Sequence, residues 1–215
     1  SRGKELRGET MTEAEWLAAT DTMEMLELFR DGGVSRKLRL YTCACCRACD
    51  WLMSVPAARR AVAAAERWAE GNGTGTEVSA HMSELDETIP ADQAGSRGAI
   101  RLGLCSVDTF NASVYTTAWF NVDDDPVLER WCVDQLRDIF GNPFRPVKVD
   151  PSWLTSIVIA LAEGIYAERA FDRLPILADA LQAAGCDNAD VLSHCRGEGP
   201  HVRGCWVVDL LTGRS

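Results

Sequence analysis

Nowhere in the 215 residues do apolar side chains run long enough to cross a bilayer, which takes about 18 in a row. A basic surplus is missing too. Twenty-two Lys and Arg stand against 32 Asp and Glu, giving a net charge of −10 and a pI near 4.8. That balance argues against nucleic acid, which is bound through a basic face, and against anionic lipid. The polar stretch Ser1 to Thr10 carries no apolar signal-peptide core and reads as a leader or tag remnant ahead of Met11. No phosphate-cradling glycine loop, dinucleotide loop, metalloprotease His-Glu pair or serine elbow occurs. Histidine is scarce, with three in all.

Cysteine is not scarce. There are nine, an odd number in a chain long enough to bury its own core, so they do not read as a disulfide scaffold. Reduced thiols and a cytoplasmic location follow as expectations.

Helical patterns fill the chain, and the expected fold is all-α: a compact array of about nine to eleven helices with no sizeable sheet. Thr12 and Glu15 form a capping box for the first helix. Asp21 opens a second, and Ser35 opens a long one reaching about Met53. Pro56 sits at the first turn of an alanine-rich helix ending near Glu70. Gly71 to Gly75 reads as a flexible break and the best internal linker. Val107 to Phe120 has strand propensity but helical neighbours, and helix is expected. Asp123-Asp124-Asp125-Pro126 starts a helix that Gly141-Asn142-Pro143 stops. Further helices are expected from Pro151 or Ser152, with Leu154, Ile157 and Val158 inside, from Asp172, from Asn188 to Cys195, and from Val202 to Leu211. The organisation expected is a leader (1–10), an N-terminal helical half (11–122) and a C-terminal half (123–215), or one continuous domain. The seven tryptophans are expected in the core.

Two groups of residues carry chemistry. Cys43, Cys45, Cys46 and Cys49 crowd one helix. Cys46 and Cys49 make a CxxC, but deep inside a helix, away from the N-terminal dipole that lowers a redox thiol's pKa. Core packing is the default there, with metal binding as the alternative. The second group is Cys186, His194, Cys195, His201 and Cys205, which holds two of the three histidines. Imidazole and thiolate are zinc's preferred ligands. His201 and Cys205, four apart, would share a helix face, and the turn Gly197 to Pro200 would bring His194 near His201. The plainer alternative makes His201 a buried, hydrogen-bonded or helix-capping residue.

Several segments resemble one family. They are Met11 to Leu17, Arg36 to Arg47 with its Cys-Ala-Cys-Cys-Arg run, Asp138 to Pro146, Leu174 to Leu181, and Gly199 to Leu211 with Gly199-Pro200-His201-Val202-Arg203-Gly204-Cys205-Trp206. They resemble uncharacterised proteins of planctomycete bacteria, the Gemmata group above all, and the likeness implies a bacterial, cytosolic protein without supplying a substrate. It also implies apolar residues where Cys49 and Cys195 stand, which favours Cys43, Cys46, Cys186, His201 and Cys205 as metal ligands. Cys43 and Cys46 paired with His201 and Cys205 would complete a Cys₃His zinc site. Function is expected to be a helical protein-binding or scaffold module, with another protein as partner and a structural zinc as the one cofactor. The alternative is a metal-dependent or thiol enzyme using the Cys/His cluster.

Overall fold

The computed structural model describes residues 11–30, 35–88 and 126–214, together with Leu104, Asn111 and Ser113. Among these the chain is all-α, with eleven α-helices and no strand. The helices are α1 (Glu13–Ala18), α2 (Thr22–Glu27), α3 (Ser35–Ala48), α4 (Asp50–Ser54), α5 (Pro56–Ala69), α6 (Gly75–Thr88), α7 (Pro126–Phe140), α8 (Ser156–Glu168), α9 (Leu174–Ala183), α10 (Ala189–Arg196) and α11 (Trp206–Thr212). The helix expected over 107–120 lies outside the described residues apart from Asn111 and Ser113, as does the leader.

Local chemistry explains most boundaries. Thr12 Oγ1 accepts from the Glu15 N–H while Glu15 reaches back to the Thr12 N–H at 2.6 Å, closing the capping box of α1. Asp21 caps α2 at the Met23 N–H, and Thr155 caps α8 at the Val158 N–H. The long helix expected from Ser35 to Met53 breaks at Cys49, whose backbone is extended. No glycine or proline marks that break. Cys49 packs against two apolar clusters at once, and the change of direction there sends Leu52 into the α5–α6 core. The glycine-rich stretch is not a linker. Gly73 and Gly75 lie so close to Trp68 that a Cβ at Gly75 would meet its ring at 2.9 Å. They make a tight turn between α5 and α6, which pack along their length. The chain before α8 forms a separate 3-10 turn, Pro151–Trp153, capped by Asp150. Ile157 is 66% exposed and Trp51 40% exposed, so neither joins the core as expected.

Three apolar clusters form. One holds α3 to α6 around Ala61, Val62, Met82 and Leu85. A second joins Trp16, Met25, Leu26 and Phe29 to α3 and to Val133, Leu136 and Ile139 of α7. The third holds the C-terminal helices around Val158, Ile165, Leu177, Leu181 and Val208. α7 therefore belongs by its apolar face to the N-terminal helices, and the apolar boundary falls after Phe140.

Between the C-terminal cluster and the rest runs a seam rich in charge. Arg36 of α3 donates to both Asp209 oxygens of α11, at 2.6 and 3.1 Å, and to Glu70 at 2.9 Å. The Tyr166 hydroxyl of α8 accepts from Arg36 and donates to Glu70. Beside it, Lys37 of α3 donates to the Ile139 carbonyl of α7, within the N-terminal side. Burial pushes the Asp209 carboxyl upward despite the opposing pull of Arg36. A buried ion pair is a weak source of net stability, but removing one partner strands the other charge. Arg36→Met is therefore expected to lower stability by about 3 kcal/mol, measured from urea denaturation midpoints. A loss below about 1 kcal/mol, the value of a surface pair, would mean the seam does not depend on it.

Candidate metal centre

α7 presents two faces. Cys132, Val133, Leu136 and Ile139 go into the N-terminal core, while the buried Gln135 and Asp138 flank that stripe. Asp138 is 3% exposed and looks toward α10 and the loop leading to α11. Gln135 Nε2 donates to the Pro200 carbonyl at 3.4 Å, which anchors that loop to α7. Two glycines allow the close approach. Gly141 ends α7 at φ +65°, where a Cβ would meet the Trp206 ring at 3.0 Å, and Gly204 has φ +99° with Leu40 at the same distance.

The turn at Gly204 corrects the expected geometry of the second cluster. The last helix begins at Trp206, not Val202, so His201 and Cys205 do not share a helix face. His201 lies in the loop and Cys205 immediately precedes the helix. The fold brings them together with two further donors. Asp138 Oδ1 is 2.6 Å from His201 Nδ1 and 3.1 Å from His194 Nε2, and His194 Nε2 is 3.2 Å from Cys205 Sγ. All four ligand atoms lie within 4.8 Å of one another. A group of two imidazoles, one thiol and one carboxylate can hold a metal ion. A tetrahedral ion with bonds of about 2.0–2.3 Å keeps its ligands roughly 3.3–3.8 Å apart, so the two His194 contacts would open by a few tenths of an ångström and the Asp138–His201 pair by more.

The surroundings orient each donor. The Val202 N–H donates to Asp138 Oδ2 at 2.9 Å, which leaves Oδ1 facing the histidines. His201 Nε2 lies 3.4 Å from the Gly197 carbonyl, an outer partner for its proton if a bound cation displaced the one that Nδ1 shares with Asp138. The His194 ring packs between His201 and Trp206, with centroids 4.8 and 5.2 Å away. Burial and the Asp138 charge hold the Cys205 thiol well above its ordinary value, against backbone hydrogen bonds from Val208 and Val207. A bound cation would reverse that balance and take the thiolate.

Of the five ligands expected, His201 and Cys205 are in this group and three are not. Cys43 points its thiol at the Val62 carbonyl of α5, 4.0 Å away, and Cys46 packs in the same N-terminal cluster. Cys186 lies between α9 and α10 in the C-terminal core. Burial raises all three thiols, Cys46 to about 12, as suits packing residues. The joint Cys₃His site therefore does not form: α3 approaches the loop at Leu40, while Cys43 and Cys46 pack in the α5–α6 cluster. Asp138 was missed because a carboxylate on an amphipathic helix reads as solvent-facing. Its one sequence signal is that it borders the apolar stripe of α7, three residues after Gln135.

A cleft of about 340 Å³ lies over the group, with Asp138, His194 and His201 in its wall beside Arg130 and Arg137. Arg137 is tied down by the Trp16, Leu17 and Ala19 carbonyls at the end of α1.

Burial raises Asp138, but the two histidines outweigh it and hold the carboxyl below its usual range. Burial lowers His201, but the Asp138 carboxylate outweighs it and raises the imidazole. A lowered carboxyl stabilises the fold above its unfolded pKa, about 4, and loses that as pH falls. A raised imidazole stabilises it below about 6.5 and loses that as pH rises through the folded value. Chelator-treated protein is thus expected to be most stable between about pH 4 and 6.5 and to lose thermal stability from pH 6 to 8. In Asp138→Asn that decline should flatten. With metal present the trend should reverse, because the ligands bind deprotonated.

Comparison with protein-family models, with curated proteins and with solved structures finds no match to this chain.

Proposed function

We propose that the protein is a helical protein-binding or scaffold module whose C-terminal half is fixed in place by a structural zinc ion. One observation carries the reading. Four protein donors, Asp138, His194, His201 and Cys205, come from α7, α10 and the approach to α11, and four is the number a closed tetrahedral shell needs. Structural zinc sites are closed in this way, whereas catalytic ones keep a position for water or substrate. Thiolate, imidazole and carboxylate in one set suit zinc better than the all-oxygen preference of calcium or magnesium. The bond network would serve architecture, since it joins the helix that packs with the N-terminal core to those of the C-terminal core.

The acidic surface favours a protein partner bearing positive charge. Eight cysteines among the described residues carry free thiols, and no helix there is long and apolar enough to cross a membrane. Both fit the cytoplasm as the working location. Membership of the planctomycete family belongs to the same proposal, as His201 and Cys205 fall within a segment that resembles it.

A metal-dependent enzyme is the second reading, favoured by the cleft that reaches Asp138, His194 and His201. Cobalt substitution separates the two. The protein is expected to bind one equivalent of cobalt with the absorption of a tetrahedral thiolate site, and excess azide is expected to leave the spectrum unchanged. An azide-dependent spectral shift would mean an open position and favour the enzyme. His194→Ala and Cys205→Ser should lose the metal, while Cys43→Ser, Cys46→Ser and Cys186→Ser should keep it at the wild-type stoichiometry.

A further inference from the structure

A second cavity, of about 200 Å³, opens in the seam between α3, α5 and the C-terminal helices. Its polar lining is dominated by Arg47, Arg169 and Arg203, and Glu66 is its one carboxylate. The apolar side chains Leu40, Ala44 and Phe171 complete much of the rest. Arg47 grips Glu66 with two hydrogen bonds, Nε to Oε1 at 2.7 Å and Nη2 to Oε2 at 2.9 Å, and Arg169 donates to the same Oε2. Three hydrogen bonds thus hold Glu66. Arg203 takes no share of it: its Nη2 goes to the Tyr166 carbonyl, and its buried Nε has no acceptor among the described residues.

Three guanidiniums against one carboxylate leave two positive charges in excess, inside a protein whose net charge is −10. Such crowding is unfavourable unless something answers it. Burial pushes Arg169 below its ordinary value, and Arg47 and Arg203 push the same way against the pull of Glu66. Arg169 also stands at the C-terminal end of α8 with φ +57°, the left-handed region where glycine is the usual occupant. Glycine there would relieve the backbone but remove the charge. Local strain of this kind gathers at ligand sites.

We propose that this cavity binds a small anion carrying at least two negative charges, a phosphate monoester or a dicarboxylate. The arginine fork matches both groups, donating two parallel N–H bonds to phosphate or carboxylate oxygens. The volume is below the usual range of about 300–1,000 Å³ for drug-sized ligands, so the ligand is a few heavy atoms across rather than a nucleotide. The site is separate from the metal centre, although His201 borders both.

The test is calorimetric titration of the full-length, metal-loaded protein at low ionic strength, with inorganic phosphate in one arm and succinate in the other. Saturable binding at millimolar concentration or tighter is expected in at least one arm. Phosphate alone would mark a phosphoryl ligand, succinate alone a carboxylate one, and both the shared chemistry. Arg169→Gln is expected to weaken binding at least tenfold. Arg203→Gln, which leaves Glu66 paired with Arg47 and Arg169, should weaken it similarly without disturbing that pair. Glu66→Gln removes the competing carboxylate and should tighten binding severalfold, a gain that a purely structural role for these residues does not produce. Binding of neither probe would overturn the proposal. So would binding that all three variants leave unchanged. Metal content, measured alongside, separates a lost cavity from a lost metal centre.

Discussion

Asp138 is the buried carboxylate on which the junction of the protein depends. A carboxylate taken out of water is costly unless it is paired and hydrogen-bonded. Asp138 meets that demand with partners from outside its own helix: the His194 ring, the His201 ring and the Val202 N–H. Each of these is on α10 or in the loop before α11. The residue therefore cannot stay buried unless the C-terminal helices are docked on α7, and the docking brings Cys205 to the same point.

The rest of the seam explains why such a device is needed. Each half has its own apolar clusters, and Val202 packs from the C-terminal side against the N-terminal one. Polar contacts cross it as well: Arg36 with Asp209, Tyr166 with Glu70, Arg169 with Glu66. Charged contacts of this type fix orientation more than they add net stability. A structural zinc is worth about 10–16 kcal/mol in small metallo-domains, comparable with the roughly 5–15 kcal/mol net stability of a whole domain. An ion held by Asp138, His194, His201 and Cys205 would then decide whether the two halves stay together.

How much of this the sequence carries differs by level. The helices are readable because their signals are local: the Thr12–Glu15 box, Pro126 at a first turn and the stop at Gly141. The packing role of Cys43 and Cys46 follows from their place deep inside a helix, away from its N-terminal dipole. The break at Cys49 is unreadable, since it results from one residue serving two cores. His201 and Cys205 were legible as candidates from residue type, but the reason was different. Their meeting depends on the left-handed turn at Gly204 and not on helical spacing. Asp138 joins the group only through contacts spanning more than fifty residues, which no periodicity within α7 reports, whereas the turn after His194 does signal its approach to His201. The arginines of the seam cavity were likewise invisible, because three separate elements supply them.

The central claim is that one ion sits among one sulfur and three nitrogen or oxygen donors where α7 meets the C-terminal helices. X-ray absorption at the zinc edge of the purified protein tests this most directly. The account predicts one sulfur at about 2.3 Å and three lighter donors at about 2.0–2.2 Å, with no exchangeable water among them. Two or more sulfurs, or protein that is fully folded and free of zinc after growth in zinc-replete medium, would contradict it.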